Sequence, residues 1–161
     1  MRPIRKLIIH CSDSTFGDVR EIGRWHRERG FSLIGYHYVI CNGHRTAKAE
    51  FSPEVDGLIE YGRTVGMEGA HCYGHNRDSI GICLIGKTEF SNTQMIKLHY
   101  LVRSLMLEYR LGPKDVYGHY EFDAGKTCPN LDMAAFRAGL LEEEVEHPIS
   151  TEYKKPKEQE A

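Results

Sequence analysis

Ile80-Gly81-Ile82-Cys83-Leu84-Ile85-Gly86 is the stretch on which the fold turns. An apolar, β-branched run without polar alternation, bounded by turn residues, reads as a strand buried on both faces. Such a strand needs a layer of structure on each side, and the sequence around it supplies the parts. Downstream, Ser91-Asn92-Thr93-Gln94 has the form of a helix capping box, followed by Met95, Leu98, Val102, Leu105 and Tyr109 on one helical stripe that ends at Gly112-Pro113. Upstream, Arg5 to Cys11 is a second short buried strand ending at His10, and Val19, Ile22 and Trp25 recur at helical spacing before Gly30. Tyr36 to Cys41 reads as a strand with Tyr36, Tyr38 and Ile40 on one face, closed by Asn42-Gly43. Pro53 to Tyr61 reads as a short helix, Val116 to His119 as a last strand, and a final helix begins near Asn130 or Leu131. Strands alternating with helices give an α/β class: one domain, residues 1–141, with a mixed central sheet flanked by helices. From residue 142 onward Glu, Lys and Pro replace apolar residues, so 142–161 is expected to be a solvated tail.

Bulk properties narrow the function classes. A formal charge of -2 offers no electrostatic attraction to nucleic acid, and none is expected as a partner. The apolar runs fall far short of the roughly 20 residues needed to cross a bilayer, so no membrane insertion is expected. Only three apolar residues separate the basic Met1–Lys6 start from His10, too few for a secretory signal, and a cytoplasmic location is expected. Five cysteines, an odd number without paired spacing, argue against a disulfide framework and leave each as a free thiol or a metal ligand.

His10, His119 and Cys128 all lie where a strand hands over to a loop. Two imidazoles and one thiolate suit zinc, and three protein ligands leave a fourth position open, the mark of a catalytic rather than a structural site. Spacing alone does not select this triple, because nine histidines and five cysteines offer many others. His10 also reads as a histidine satisfied at a strand end, Cys128 as an inert thiol, and Tyr36 as a core aromatic sharing a face with Tyr38.

A larger pattern separates these readings. Ile8-Ile9-His10-Cys11-Ser12, Arg20 to His26, Gly35-Tyr36-His37-Tyr38, Asn76 to Ile82, Gly118-His119-Tyr120-Glu121 and Lys126-Thr127-Cys128-Pro129 occur in that order. Together they resemble the N-acetylmuramoyl-L-alanine amidases of the phage-lysozyme type, relatives of the animal peptidoglycan recognition proteins, from about residue 5 to residue 140. The resemblance implies the fold of that group and one Zn2+ per chain held by His10, His119 and Cys128. It implies Tyr36 and Lys126 as catalytic groups and His37, His71 and Asn76 as groups facing the peptidoglycan substrate. The implied reaction is hydrolysis of the amide between N-acetylmuramic acid and L-alanine, carried out by a monomeric phage or prophage endolysin that reaches the wall after release. The alternatives are a peptidoglycan binder that does not cut, which in the resembling group commonly lacks the metal cysteine, and a cytosolic wall-recycling amidase. A cysteine hydrolase using Cys11 or Cys128 has no nucleophile motif in its favour. Some amidases of this type also bind a phage RNA polymerase, and no residue here assigns such a surface. Two departures from the group's pattern stand out: about a dozen extra residues between Asn42-Gly43 and Tyr61-Gly62-Arg63, expected to wall the groove, and a His119–Cys128 loop one residue longer.

Overall fold

The computed structural model describes residues 1–142, so the tail read from 142 onward lies, apart from Glu142, outside the described residues. A five-stranded mixed sheet organises the chain: β1 (Lys6–Cys11), β2 (Tyr38–Asn42), β3 (Asp56–Tyr61), β4 (Ser79–Leu84) and β5 (Val116–Gly118), in the order β3-β2-β4-β1-β5. β2, β4, β1 and β5 run parallel, and β3 pairs antiparallel with β2 at the edge. As its unbroken apolar composition requires, β4 is buried along its whole length.

Each face of the sheet carries its own apolar layer. On one side Leu7, Ile9, Ile40, Ile80, Ile82 and Leu84 pack under α2 (Asn92–Tyr109) and α3 (Met133–Gly139), meeting Leu98, Leu101, Val102, Leu105, Met133 and Phe136. On the other, Val39, Cys41, Cys83 and Ile85 pack under α1 (Val19–Glu28) through Ile22 and partly buried Trp25. Each fully buried Leu or Ile contributes about 1.5–3 kcal/mol through the apolar surface it removes from water. The Ser91–Gln94 capping box forms as expected, and Gln94 is itself buried, its amide donating to the Ile40 carbonyl in β2 and the Ile85 carbonyl just past β4. Arg110, in the left-handed region at φ 57°, ends α2 two residues before Gly112. Among the described residues no helix is long and apolar enough to cross a membrane.

Three elements differ from the sequence reading. Residues 56–61 form a strand, not a helix, because Leu58 joins the α1-side layer while Ile59 joins the α2-side layer, a two-residue alternation. Gly57, at φ 79°, lets the start of α2 lie directly on this strand; a Cβ there would come within 2.6 Å of the Thr93 methyl. β2 starts at Tyr38, and the backbone at Tyr36 and His37 is held instead by Arg63 N–H donating to the Tyr36 carbonyl and His37 N–H donating to the Gly81 carbonyl. This irregular entry separates two tyrosines expected on one face: Tyr38 joins the α2-side core, whereas Tyr36 packs on the α1 side. α3 begins at Met133, later than expected, because the Asp132 carboxylate caps it by accepting from Ala135 N–H.

Candidate metal centre

Register builds the centre. In the β1/β5 pairing Ile9 lies opposite Gly118, so the next residues, His10 and His119, emerge side by side at the carboxyl ends of adjacent parallel strands. His119 opens a 3-10 turn, His119–Glu121, that swings the chain away from the sheet. The loop returns at Cys128, where Tyr120 N–H donates to the Cys128 carbonyl and Cys11 N–H donates to its Sγ at 3.0 Å. The Cys128-Pro129 bond is cis. The ligand atoms of His10, His119 and Cys128 lie within 4.8 Å of one another, the one such group among the described residues.

The donor set fits a soft divalent cation. The Nδ1 atoms of His10 and His119 face each other at 3.2 Å. Burial of His10, 1% exposed, with His71 and His119 beside it, holds its imidazole well below the usual histidine range and therefore neutral, the state that binds metal. His119 is also lowered, by burial and by the Lys126 ammonium. Cys11 and Cys128 form a coupled thiol pair. The hydrogen bond between them pulls Cys11 down to about 7, and the same bond together with burial pushes Cys128 up. A cation beside the two imidazoles would favour the thiolate form of Cys128. Zinc, with its preference for nitrogen and sulfur, matches this set of three.

The other expected site residues divide into two groups. Tyr36 comes to the centre, its ring centroid 5.0 Å from that of His10 and 5.4 Å from that of His26. Burial and the neighbouring Cys83 thiol hold its phenol well above the ordinary tyrosine value, so it remains an O–H donor. Lys126 is exposed on the loop between the two ligands, near enough to His119 to depress it electrostatically. His71 reaches the centre from behind: its Nδ1 lies 2.8 Å from His10 Nε2 and its Nε2 lies 3.2 Å from Ser79 Oγ.

His37 departs from the expected substrate-facing position. It is 1% exposed, its Nδ1 accepts from Gly81 N–H, and its Nε2–H donates to the Met67 carbonyl, so it ties β4 to the preceding loop. Asn76 uses its side-chain oxygen to accept from the backbone N–H groups of both His71 and Cys72. Sequence reasoning gave no role to Ser79, and it weighed Cys11 only as a nucleophile, whereas Cys11 sits against Cys128. It did single out the extra segment after Gly43. Arg45 anchors that segment to Asp18 at 3.0 Å and Glu60 at 2.9 Å. His44 and Phe51 help line a cleft of about 580 Å³ with Ser14, Asn42, Lys87 and Phe90, all beyond the carboxyl ends of β1, β2 and β4.

A family model described as N-acetylmuramoyl-L-alanine amidase matches residues 1–131. The endolysin of Escherichia phage T7 is 33% identical over 138 residues, covering 79% of this chain and 81% of its own. Among solved structures, the N-acetylmuramoyl-L-alanine amidase LysC from Clostridium intestinale superposes with a TM-score of 0.72 at 26% identity, over 86% of each chain. Wild-type Drosophila PGRP-LB gives a TM-score of 0.65 at 27% identity, over 84% of this chain and 80% of its own. The match spans both histidines and stops three residues beyond the cysteine of the metal-ligand group, and on it this chain belongs to the N-acetylmuramoyl-L-alanine amidase family.

Proposed function

We propose that this chain hydrolyses the amide bond between N-acetylmuramic acid and L-alanine in peptidoglycan as a zinc-dependent endolysin. The observation that carries this reading is the convergence of His10, His119 and Cys128 within 4.8 Å, with the Tyr36 ring against His10. Zinc held by these three residues supplies Lewis-acid polarisation of the scissile carbonyl and lowers the pKa of the attacking water.

The chain's own groups do the rest. As the carbonyl becomes tetrahedral, negative charge grows on its oxygen. The Tyr36 phenol, kept protonated by burial, donates a hydrogen bond to that oxygen. The Lys126 ammonium, at the open side beside His119, adds a positive charge toward the same oxygen. Burial of His10 in the floor keeps its imidazole neutral, so protons do not compete with the metal at neutral pH. The cleft walled by the extra segment lies along the same edge of the sheet and extends the surface available to a glycan or stem peptide.

The test is to incubate zinc-loaded protein with purified peptidoglycan and assay the new ends, with and without a chelator. New alanine amino termini without new reducing sugars, lost on chelation, support the amidase. Wall that is bound but yields no new ends of either kind refutes it and places the chain among non-cutting binders.

A further inference from the structure

Asn76-Arg77-Asp78-Ser79-Ile80-Gly81 contributes no atom to the metal-ligand group, yet two of its side chains hold His71, Asn76 at its backbone N–H and Ser79 at its ring. We propose that His71 is the positioning residue of the metal centre: it fixes the tautomer and tilt of His10, and residues 76–81 are the seat that holds it. This rests on the zinc reading above and extends it to residues that touch neither metal nor substrate.

The argument runs inward from a group that has no choice of role. The His75 carbonyl can only accept, and Ser79 Oγ lies 2.6 Å from it, so the single hydroxyl proton of Ser79 goes there. Ser79 Oγ is then the acceptor toward His71 Nε2 at 3.2 Å, which places the His71 proton on Nε2 and its lone pair on Nδ1. That lone pair faces His10 Nε2 at 2.8 Å, so His10 carries its proton on Nε2 and donates. The lone pair of His10 is left on Nδ1, the atom that faces His119 Nδ1. Four groups in series thus settle which nitrogen of the buried ligand is free for a cation. An imidazole donating its second N–H to a fixed acceptor is a better and better-oriented ligand.

Steric facts agree. The His71 ring lies flat against β4 at Gly81, where a Cβ would fall 2.6 Å from its Cγ, 2.7 Å from Cδ2 and 2.9 Å from Nδ1. No residue with a side chain fits at 81 while the ring is there. The Asn76 side-chain oxygen gathers the backbone N–H groups of His71 (2.8 Å) and Cys72 (2.9 Å), fixing the direction from which the ring enters. Both ring nitrogens are committed within the protein, and at 8% exposure little of the ring is left to meet a substrate.

Two measurements on the full chain decide the matter. In zinc-loaded wild-type protein, nitrogen-15 NMR of the imidazoles should show His10 protonated at Nε2 with Nδ1 on the metal, and His71 protonated at Nε2 and bare at Nδ1. His71 protonated at Nδ1 overturns the proposal. Zinc affinity, read by competition with a chelator, should fall about 10–100-fold in His71→Leu and less in Ser79→Ala. It should recover in His71→Asn, whose side-chain oxygen takes the place of Nδ1, while unfolding of the metal-free proteins stays close to wild type. Wild-type affinity in His71→Leu overturns the proposal and leaves the zinc reading intact; a wild-type protein that binds no zinc overturns both. If His71→Leu fails to fold, an Asn variant as weak as Ser79→Ala overturns it equally.

Discussion

Replacing Tyr36 with Phe removes one hydroxyl and leaves the ring, so it separates catalysis from architecture. The ring is held by faces, not by its oxygen: its centroid is 5.0 Å from His10, 5.4 Å from His26 and 6.4 Å from His71, and all three contacts survive the change. The hydroxyl gives up its polar contact with the Cys83 thiol. A hydrogen bond of that kind is worth about 0.5–1.5 kcal/mol. For a domain of this size such a loss lowers Tm by at most about 6 °C. Zinc content should not change, because all three ligand side chains remain. Turnover should fall about 10²–10³-fold, the cost of one donor to a developing oxyanion, or roughly 2.7–4 kcal/mol. The effect should appear in kcat and not in KM, since the charge being stabilised exists only in the transition state. The assay is release of alanine amino termini from soluble muropeptides across a range of substrate concentrations, with zinc measured on the same samples. A kcat within about threefold of wild type, under 1 kcal/mol, would refute the role assigned to the phenol. A rate loss accompanied by zinc loss would refute the separation of the ring from the ligands.

Cys128→Ser should lose both activity and metal retention, because a hydroxyl is a poor substitute for a buried thiolate; an active, zinc-loaded Ser variant in metal analysis would point to a different third ligand. Lys126→Ala should keep its zinc and slow turnover by about 10²-fold, and a wild-type rate would remove Lys126 from the mechanism. Burial lowers His26 and His37 to about 4 each, so the unfolded chain takes up protons from these two that the folded one refuses. Their contribution to stability is therefore complete above the ordinary histidine value of about 6.5 and declines as pH falls toward 4. Urea midpoints should drop over that interval, and His26→Gln should flatten the slope; equal slopes would show that His26 is not the source. Arg45→Ala should free the segment after Gly43 from Asp18 and Glu60, raising hydrogen exchange there at a stability cost of about 1 kcal/mol, and unchanged exchange would mean the anchor lies elsewhere.

Legibility followed physical strength of signal. β4 and α2 were readable because a long apolar run and a capped stripe have few alternative conformations. The strand at 56–61 was not, because an edge strand split between two half-buried layers carries a mixed polar pattern that imitates a helix. Tyr36 could be singled out through the family resemblance, yet its separation from Tyr38 depends on hydrogen bonds from Arg63 and to Gly81 that no local pattern encodes. The metal ligands were visible only through the order of their motifs, since 118 residues separate His10 from Cys128. His37 and Ser79 illustrate the limit. One was expected to face substrate and is buried, and the other was given no role and holds a histidine, because both depend on which loop folds over β4.

The strand order has a consequence for how the enzyme comes into being. β1 is made first but sits between β4 and β5, so the first strand off the ribosome has no neighbour to pair with until the chain has reached its second half. The wait from His10 to Cys128 is about 6–24 s at 5–20 residues per second. Until then the nascent chain carries at most the two ligand histidines and lacks the thiol that completes the set. The complete set of three ligands therefore arises late, and a product truncated anywhere before residue 128 lacks its thiol.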